Sequence, residues 1–331
     1  MKALLSIYAV FAALLFASCE KKDIPVDLPP KGKAEYGVVE MGEDYKDQLF
    51  FDFETQRVVH ISEINSWHLA FDASIEGFNV FMNGGADVFV YNTHETDFTK
   101  VTTAPASFSP DWMFDRPCGL GDSTAIGDWR SAGNTSKNEV YIVRLNATYN
   151  TNNMKKFRLV SVSSAGYTIE YADLKDNVGH IITMPKDDNY NYSYFTFDEG
   201  GKVIQPDPPK NTWDIVFTRY RFIYYDLENF TYIVNGVLTN PYNTTTAADS
   251  TTAFTELEGT EILKLPYSNH RDIIGFNWKS FDRDKEIYTV HPNKNYIIKN
   301  RAGFYWKLHF LDFYNKQGIK GSPSFEFQKV Y

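Results

Sequence analysis

An internal repeat is the feature of this chain that most constrains its fold. Trp67-His68-Leu69-Ala70-Phe71 in the first half matches Trp213-Asp214-Ile215-Val216-Phe217 in the second half. Six more pairs follow the same order: Phe51-Asp52-Phe53 with Phe195-Thr196-Phe197, Asn83-Gly84 with Asn235-Gly236, Gly127-Asp128-Trp129-Arg130 with Phe276-Asn277-Trp278-Lys279, Tyr141-Ile142-Val143-Arg144 with Tyr296-Ile297-Ile298-Lys299, Arg158-Leu159 with Lys307-Leu308, and Ile169-Glu170-Tyr171 with Phe325-Glu326-Phe327. Because seven matches in one order rarely arise by chance, we conclude that one module is present twice.

Composition and alternation predict that both copies consist of β-strands. The chain holds 26 Phe, 22 Tyr and 6 Trp among 331 residues, and aromatic residues favour pleated sheets. Trp306, Leu308 and Phe310 alternate with polar neighbours, as on a half-buried strand. Turn residues separate short strand patterns, with Asn-Gly read as a hairpin signal in both copies and residues 240–252 as a loop. These patterns predict two tandem antiparallel β-sandwich or open-barrel modules.

The first residues resemble the signal peptide of a bacterial lipoprotein. Lys2 precedes an apolar run over residues 3–18, which is short for a membrane-spanning helix. The run ends in Phe16-Ala17-Ser18-Cys19, which resembles a lipobox. The prediction is therefore a signal peptide over residues 1–18 and acylation of Cys19, which would hold the protein in the lipid bilayer of the outer membrane, on its cell-surface or periplasmic side. The alternative is an ordinary cleaved signal peptide with an incidental cysteine.

Composition also divides the remainder of the chain. Residues 19–36 contain three prolines and no apolar period, which predicts a flexible tether. The charged, proline-containing stretch 184–189 falls where the first copy ends and the second begins. We therefore predict an N-terminal module over residues 37–185, with the more degenerate repeat, and a C-terminal module over residues 186–331.

Charge and motifs exclude several function classes. The formal net charge of −9 argues against nucleic-acid binding, which requires a basic surface. The sequence has no Gly-x-Ser-x-Gly, phosphate-binding loop or His-Glu-x-x-His motif, so we predict no enzymatic activity, although a distant carboxylate pair of the glycosidase kind stays open. No two of the seven histidines lie at the short sequence spacing that is typical of metal ligands. Cys118, the only other cysteine, is expected to be a small core residue, with a reactive thiol as the alternative.

The second copy resembles the HmuY family. The residues that carry this resemblance are Trp213-Asp214-Ile215-Val216-Phe217-Thr218-Arg219-Tyr220, Tyr296-Ile297-Ile298-Lys299, and the stretch from Tyr305 to Tyr314 with the following turn and strand. The match covers about residues 192–331, and the first copy resembles a degenerate version of the same module. The resemblance implies an all-β lipoprotein of Gram-negative bacteria that binds haem and passes it to a TonB-dependent outer-membrane transporter.

The haem ligands implied by that resemblance are only partly present. In the family, two histidines on loops at one end of the module hold the iron. At the second of these positions this chain has Lys279-Ser280-Phe281-Asp282, which contains no histidine or methionine. His270 is the nearest candidate for the first axial ligand, and His291 is the next candidate. The alternative is a lipoprotein that binds a non-haem ligand, a glycan or a protein partner.

Overall fold

The computed structural model describes residues 32–132, 134–145 and 153–330. The predicted signal peptide, Cys19 and the tether up to residue 31 lie outside these residues. Lys31–Tyr331 forms one compact unit. Within the described part of the chain, the structure has no helix with the length and apolar character needed to cross a membrane.

The described chain consists of antiparallel strands joined by turns and short 3-10 helices. The strands are β1 (Ala34–Val38), β2 (Asp47–Asp52), β3 (Arg57–Glu63), β4 (Leu69–Asp72), β5 (Val80–Met82), β6 (Phe89–Asn92), β7 (Val140–Arg144), β8 (Lys155–Val162), β9 (Gly166–Asp173), β10 (His180–Pro185), β11 (Tyr192–Thr196), β12 (Lys202–Ile204), β13 (Ile215–Tyr224), β14 (Phe230–Thr239), β15 (Thr245–Asp249), β16 (Lys279–Asp282), β17 (Ile287–Val290), β18 (Asn295–Lys299), β19 (Tyr305–Tyr314) and β20 (Lys320–Lys329). The 3-10 helices are Ile64–Ser66, Gly84–Ala86, Phe98–Lys100, Gly121–Ser123, Asp198–Gly200, Phe254–Glu256 and Gly259–Lys264. The prediction of an all-β antiparallel fold is confirmed.

The strands form two sandwiches, each made of a five-stranded and a four-stranded sheet. In the first lobe, the outer sheet β10-β9-β8-β7-β6 packs on the inner sheet β12-β11-β4-β5. In the second lobe, the outer sheet β1-β20-β19-β18-β15 packs on the inner sheet β14-β13-β2-β3. Strands β16 and β17 form a separate hairpin.

Period-two alternation explains the two cores. Leu69, Phe71 and Phe195 point from the first inner sheet toward its outer sheet, and Phe51 and Phe217 do the same in the second lobe. Residues at the alternate positions of the inner sheets, such as Ala70 and Val216, belong to other clusters on the opposite faces. Each inner sheet therefore has two covered faces, which explains the aromatic richness of its strands.

The two copies exchange their first strands. Strand β2 of the first copy pairs with β13 of the second, and β11 of the second copy pairs with β4 of the first. Likewise β1 pairs with β20 of the second copy, whereas β10, at the end of the first copy, pairs with β9 of the same copy. The first lobe is thus a continuous segment, β4 to β12, whereas the second lobe combines β1 to β3 with β13 to β20. The boundary at residues 185 and 186 stays a prediction about the sequence repeat; the sheets themselves run across it.

Two of the sequence matches are out of register. The Asn83 side chain accepts a hydrogen bond from Ala86 N and donates one to Trp67 O. In the second copy the Asn240 side chain likewise accepts from Tyr242 N and donates to Trp213 O. The counterpart of Asn83 is therefore Asn240, and the match to Asn235-Gly236 is wrong. Asn235 lies inside β14, so it makes no hairpin turn, and Asn83 begins the turn that leads from the first inner sheet to its outer sheet.

The other register error concerns buried cations. Lys156 pairs with Ile142 and Lys307 pairs with Ile297, so Lys156-Phe157, not Arg158-Leu159, corresponds to Lys307-Leu308.

The loop prediction for residues 240–252 is also wrong, because β15 occupies the centre of this segment and pairs with β18. Short polar residues in β15 obscured the strand pattern, and the buried face of that strand is small.

Candidate functional site

A cavity of about 110 Å³ lies between the two inner sheets. The faces of these sheets that point away from the cores supply its walls, because side chains alternate along a strand. Phe50, Val216 and Tyr220 come from the second lobe, and Ala70 and Tyr194 come from the first lobe. The cavity, which we call the central cavity, therefore lies between the two halves of the exchanged fold.

Aromatic rings form the apolar part of the central cavity. Trp67 and Tyr194 meet edge to face with ring centroids 4.9 Å apart, and Phe81 meets Tyr192 at 5.2 Å. Edge-to-face pairs of this kind fix ring orientation and stabilise the packing. Two pairs of packed rings therefore form the wall on the side of the first lobe.

Four arginines and two carboxyl groups form the polar part of the central cavity. The arginines are Arg116, Arg219, Arg221 and Arg271, and the carboxyl groups are Asp115 and Asp207. A cavity between aromatic walls with convergent charged groups is the usual form of a small-molecule site. Cations outnumber anions along its lining.

Both carboxyl groups are engaged with protein donors. Asp115 accepts from the amides of Met82 at 2.6 Å and Ala125 at 2.8 Å, yet burial raises its pKa to about 7. Asp207 accepts the hydroxyl of Tyr194, and burial raises the pKa of Asp207 to about 6. Burial therefore moves the pKa of both carboxyl groups up toward neutral pH, and the shift of Asp115 is the larger.

The arginines differ in how many of their guanidinium N–H groups make hydrogen bonds or ion pairs. Arg221 pairs with Asp87, donates to Thr231 Oγ1 at 2.8 Å and stacks over the ring of Phe89 at 4.4 Å. Burial lowers the pKa of Arg221 to about 10, which leaves it cationic at neutral pH. This arginine is a structural member of the wall.

Arg271 joins the two lobes at the edge of the central cavity. Its amide donates to the carbonyl of Cys118 and its Nε donates to Thr239 O, both at 2.9 Å. The side chain also packs so closely on Gly119 that a Cβ there would lie 2.5 Å from its Cδ. Arg116 is exposed beside this contact.

The Cys118 side chain is half-buried, so both roles predicted for its thiol, a small core residue and a reactive group, stay predictions.

Several buried polar atoms around the central cavity lack a partner among the described residues. They are Trp67 Nε1, Tyr220 Oη, Arg219 Nε and Arg221 Nε. A buried donor without an acceptor costs free energy, so such groups in a native protein call for an explanation. Here they cluster around one cavity.

The predicted haem ligands do not line this cavity. His270 is exposed on the loop that precedes Arg271, and His291 is half-buried after β17, where its amide donates to Trp278 O. Haem requires an apolar slot with an axial ligand inside it. Neither His270 nor His291 lines the central cavity or the cavity beside His68, and their assignment as axial ligands stays a prediction. The structure also shows no cluster of three or more His, Cys, Asp or Glu in its described part that would hold a metal ion.

His68 is a buried histidine for which the sequence analysis predicts no special role. Its Nδ1 accepts from the amide of Phe197 at 3.1 Å, which places the proton of the neutral ring on Nε2, and burial lowers its pKa. It borders a second cavity of about 500 Å³ with Lys155 and Asp198. The protonated Nε2 makes His68 a hydrogen-bond donor there instead of a metal ligand.

The equivalent of His68 in the second lobe is Asp214. Asp214 accepts from the amide of Phe53 at 2.8 Å, just as His68 accepts from Phe197. Arg301 pairs with Asp214 and with Asp52 Oδ1 at 2.8 Å. Burial raises the pKa of Asp214 to about 6, and Arg301 opposes that shift. At this equivalent position the first lobe therefore has a neutral histidine, and the second lobe has a carboxylate paired with an arginine.

The exposed end of the β13–β14 hairpin carries apolar side chains. Tyr225, Leu227, Phe230 and Tyr232 are all more than half exposed. The hairpin extends ten residues in each strand, and its base contributes Arg219 and Arg221 to the central cavity. A contiguous apolar surface of this kind often contacts another molecule.

The central arginines were missed at the sequence level. Arg219 and Arg221 lie two residues apart in a strand whose other residues are mainly apolar or aromatic, and that spacing was the available signal. Arg116 and Arg271 lie on loops of different lobes, so no sequence pattern connects them.

Comparison with known proteins identifies a family. The sequence model described as "HmuY protein" matches residues 44–175 and again residues 169–327. No curated protein matches the chain. Among solved structures, apo PinO from Porphyromonas gingivitis is 10% identical with a TM-score of 0.36, over 90% of this chain and 98% of that one. A chain provisionally described as an HmuY-like haem-binding protein from Bacteroides vulgatus is 13% identical with a TM-score of 0.23, over 90% and 91%. One provisionally described as a lipoprotein from Bacteroides fragilis is 18% identical with a TM-score of 0.25, over 61% and 91%.

Proposed function

The chain belongs to the HmuY family, and from this membership we propose that it is an exported, non-catalytic binding lipoprotein of the outer membrane. Its role would be to capture a ligand and pass it to a TonB-dependent transporter in haem or iron acquisition. The observation that carries the proposal is the double match of the family model over both copies. The lipobox-like Phe16-Ala17-Ser18-Cys19 supports attachment to the membrane.

Membrane attachment is tested on Cys19. We expect the chain expressed in a Gram-negative host to incorporate labelled palmitate and to sediment with outer membranes. Cys19→Ser is expected to abolish both, because the acylated thioether then cannot form. Cys118→Ser is the matched control, because that cysteine lies in the folded part of the chain. Equal labelling of Cys19→Ser and the unaltered protein would refute the anchor.

The haem part of the proposal is tested by titration with haemin. If His270 or His291 is an axial ligand, the unaltered protein gives a low-spin Soret band, and His270→Ala or His291→Ala weakens or broadens it. His180→Ala is the matched control, because His180 is an exposed histidine of the first lobe. A protein that gives no Soret shift with haemin would remove haem from the proposal. A shift that survives the double variant would remove these two ligands.

The second candidate function is interaction with a protein or a glycan without haem. The exposed tip of the β13–β14 hairpin favours it, since Phe230 and Tyr232 are solvated apolar rings. Affinity capture from outer membranes would compare the unaltered chain with Phe230→Ser/Tyr232→Ser, and with Val178→Ser as an exposed apolar control. Loss of one captured transporter or glycan in the hairpin variant alone supports this candidate, and identical captures refute it.

A further inference from the structure

We propose that a cleft between the two lobes, next to the central cavity, binds a neutral saccharide through asparagine amides and tyrosine side chains. This cleft, which we call the interlobe cleft, has a volume of about 320 Å³. It lies between the loops at residues 72–79 and 119–121 of the first lobe and those at residues 241–243 and 269–271 of the second. The inference goes beyond the proposed function, because it requires neither haem, nor a transporter, nor the tip of the β13–β14 hairpin.

Backbone pairing holds the polar side chains of the first lobe at the interlobe cleft. The amide of Asp72 donates to Asn79 O at 3.0 Å, so both residues lie at the open end of the β4–β5 pair. A Cβ on Gly121 would lie 2.4 Å from Asn79 Nδ2, and the glycine therefore lets the loop approach this amide closely. Asn191 Nδ2 donates to Asn240 Oδ1 at 3.1 Å, which connects the lobes at the floor of the cleft.

The asparagine amides suit a ligand that carries hydroxyl groups. The side chains of Asn79, Asn243 and Asn269 make no hydrogen bond with another described residue, and Asn191 uses only its Nδ2. Each amide that is left open offers an acceptor oxygen and two N–H donors. Because a sugar hydroxyl also both donates and accepts, these amides match the edge of a sugar ring.

Both cations that line the interlobe cleft already face a carboxyl group. Lys210 Nζ lies 2.7 Å from Asp188 Oδ1, and the charge of Arg271 acts on the buried carboxyl group of Asp207. An anionic ligand would have to compete with these partners. A neutral polar ligand has no such competitor.

Asp72 supplies an acceptor without making the interlobe cleft a cation site. Its Oδ1 accepts from the amide of Ser74 at 3.0 Å and from Ser74 Oγ at 2.7 Å, whereas its Oδ2 makes no hydrogen bond with a described residue. The ammonium of Lys186 interacts electrostatically with this carboxylate, so a second cation would gain little. A hydroxyl donated to a carboxylate oxygen is among the stronger hydrogen bonds.

Tyr192 is an independent sign that a polar ligand belongs at the interlobe cleft. It is 8% exposed and lines both the cleft and the central cavity. Burial raises its pKa, and the charges of Arg271 and Asp72 act on it next, so the hydroxyl is protonated and lies near the charges of the cleft. This hydroxyl makes no hydrogen bond among the described residues. Because a buried donor without an acceptor costs free energy, a ligand oxygen at this point would stabilise the protein.

Tyrosine rings provide the apolar part of the interlobe cleft. The rings of Tyr190 and Tyr242 are half-buried in its lining, and Lys210 Nζ lies 4.6 Å from the centroid of the Tyr242 ring. The C–H face of a sugar ring packs on such rings while its hydroxyl edge reaches the amides. The volume is at the lower end of the roughly 300–1,000 Å³ of small-molecule sites, which suits a mono- or disaccharide.

Saturation-transfer NMR with sugars tests binding to the full chain, purified in a detergent that contains no sugar. The probes are glucose, lactose, maltose and cellobiose, and we expect saturable binding of at least one disaccharide with a dissociation constant of about 10 mM or below. Glucuronate and glucosamine are the anionic and cationic matches of glucose and should bind no more tightly than glucose does. Absence of binding by all four neutral sugars, or tighter binding of either charged sugar, would overturn the proposal.

Variants locate the site on side chains whose removal breaks no hydrogen bond seen in the described residues. Tyr192→Phe is expected to weaken binding of the best disaccharide about fivefold, and Asn79→Ala/Asn269→Ala about tenfold, since each lost hydrogen bond is worth about 1 kcal/mol. The thermal midpoint of the sugar-free protein should not fall in either variant.

The matched controls replace the same residue types outside the interlobe cleft. Tyr36→Phe changes an exposed tyrosine of β1, and Asn211→Ala changes an exposed asparagine, and both should bind as the unaltered chain does. Binding that is unchanged in Asn79→Ala/Asn269→Ala, or weakened equally in Asn211→Ala, would refute the site. These results are independent of haemin titration, membrane labelling and the hairpin variants.

Discussion

Replacing Arg301 by methionine should expose how strongly the second lobe depends on one buried cation. The Arg301 guanidinium donates to Asp52 Oδ1 at 2.8 Å, pairs with Asp214, and donates from Nε to Asn211 O at 2.6 Å. The side chains of Asp52 and Asp214 are 4% and 0% exposed. Arg301→Met therefore leaves two buried carboxyl groups without their cation.

The expected loss follows from the cost of unpaired buried charge. Removing one partner of a buried ion pair costs about 3–5 kcal/mol of unfolding free energy. The loss depends on pH, because burial already raises the pKa of Asp214 to about 6 and Arg301 holds it down. A carboxyl group whose pKa is raised by folding loses stability as the pH rises from its unfolded value through its folded value. In Arg301→Met this window extends upward, so the deficit is larger at pH 8 than at pH 5.

Urea unfolding at pH 5 and pH 8 measures this effect. The midpoint of Arg301→Met should fall at both pH values, with the larger fall at pH 8. Arg57→Met is the control, because Arg57 is exposed near the same surface depression. A loss below about 1 kcal/mol at pH 8, or an equal loss at the two pH values, would refute the reasoning.

Two further substitutions test burial and close packing. Burial lowers the pKa of Lys279 to about 7, and this cost of desolvation outweighs the contacts of Nζ with Asn235 O at 2.8 Å and with the Trp278 ring centroid at 4.2 Å. Lys279→Met should therefore raise the unfolding free energy by about 2 kcal/mol at pH 6. The gain should shrink from pH 7 to 10.5, since the folded protein then holds the lysine neutral while the unfolded chain is still protonated; a gain independent of pH in urea titrations would contradict this. Gly85→Ala would place a Cβ 2.4 Å from Arg219 O and should lower the unfolding free energy by about 1–3 kcal/mol, as measured by thermal unfolding. Gly84→Ala is the control and should lower it less, because the nearest atom to a Cβ at Gly84 is 3.2 Å away. Equal losses in the two variants would contradict the close packing at Gly85.

Alternation and repetition allowed much of the fold to be predicted from the sequence. Trp306, Leu308 and Phe310 point into one core as expected, and β19 and β20 pair across the turn that follows Tyr314. These features depend on local periodicity, which a sequence displays directly.

The exchange of strands between the two copies could not be predicted from local periodicity. Phe51 and Phe195 look alike, and either could pair with the strand of its own copy or of the other copy. Only the three-dimensional pairing of β2 with β13 and β11 with β4 decides. The same ambiguity hid the central cavity, because its lining combines residues of both lobes.

Buried cations were also hidden at the sequence level. Lys307 alternates with core residues, a pattern typical of a solvent-facing position, yet it is fully buried and donates to Phe254 O at 2.6 Å. Lys156 repeats the arrangement with Phe98 O and Val101 O, both at 2.8 Å. A 3-10 turn covers each lysine and supplies carbonyl acceptors, and such a cover leaves no mark on strand periodicity.

Folding of two overlapping fragments tests the exchanged architecture most directly. Residues 64–212 contain all strands of the first lobe, whereas residues 37–185 contain the first sequence copy without β11 and β12. The account predicts dispersed amide NMR signals and cooperative urea unfolding for 64–212, and neither for 37–185. A folded 37–185 fragment beside an unfolded 64–212 fragment would contradict the strand exchange.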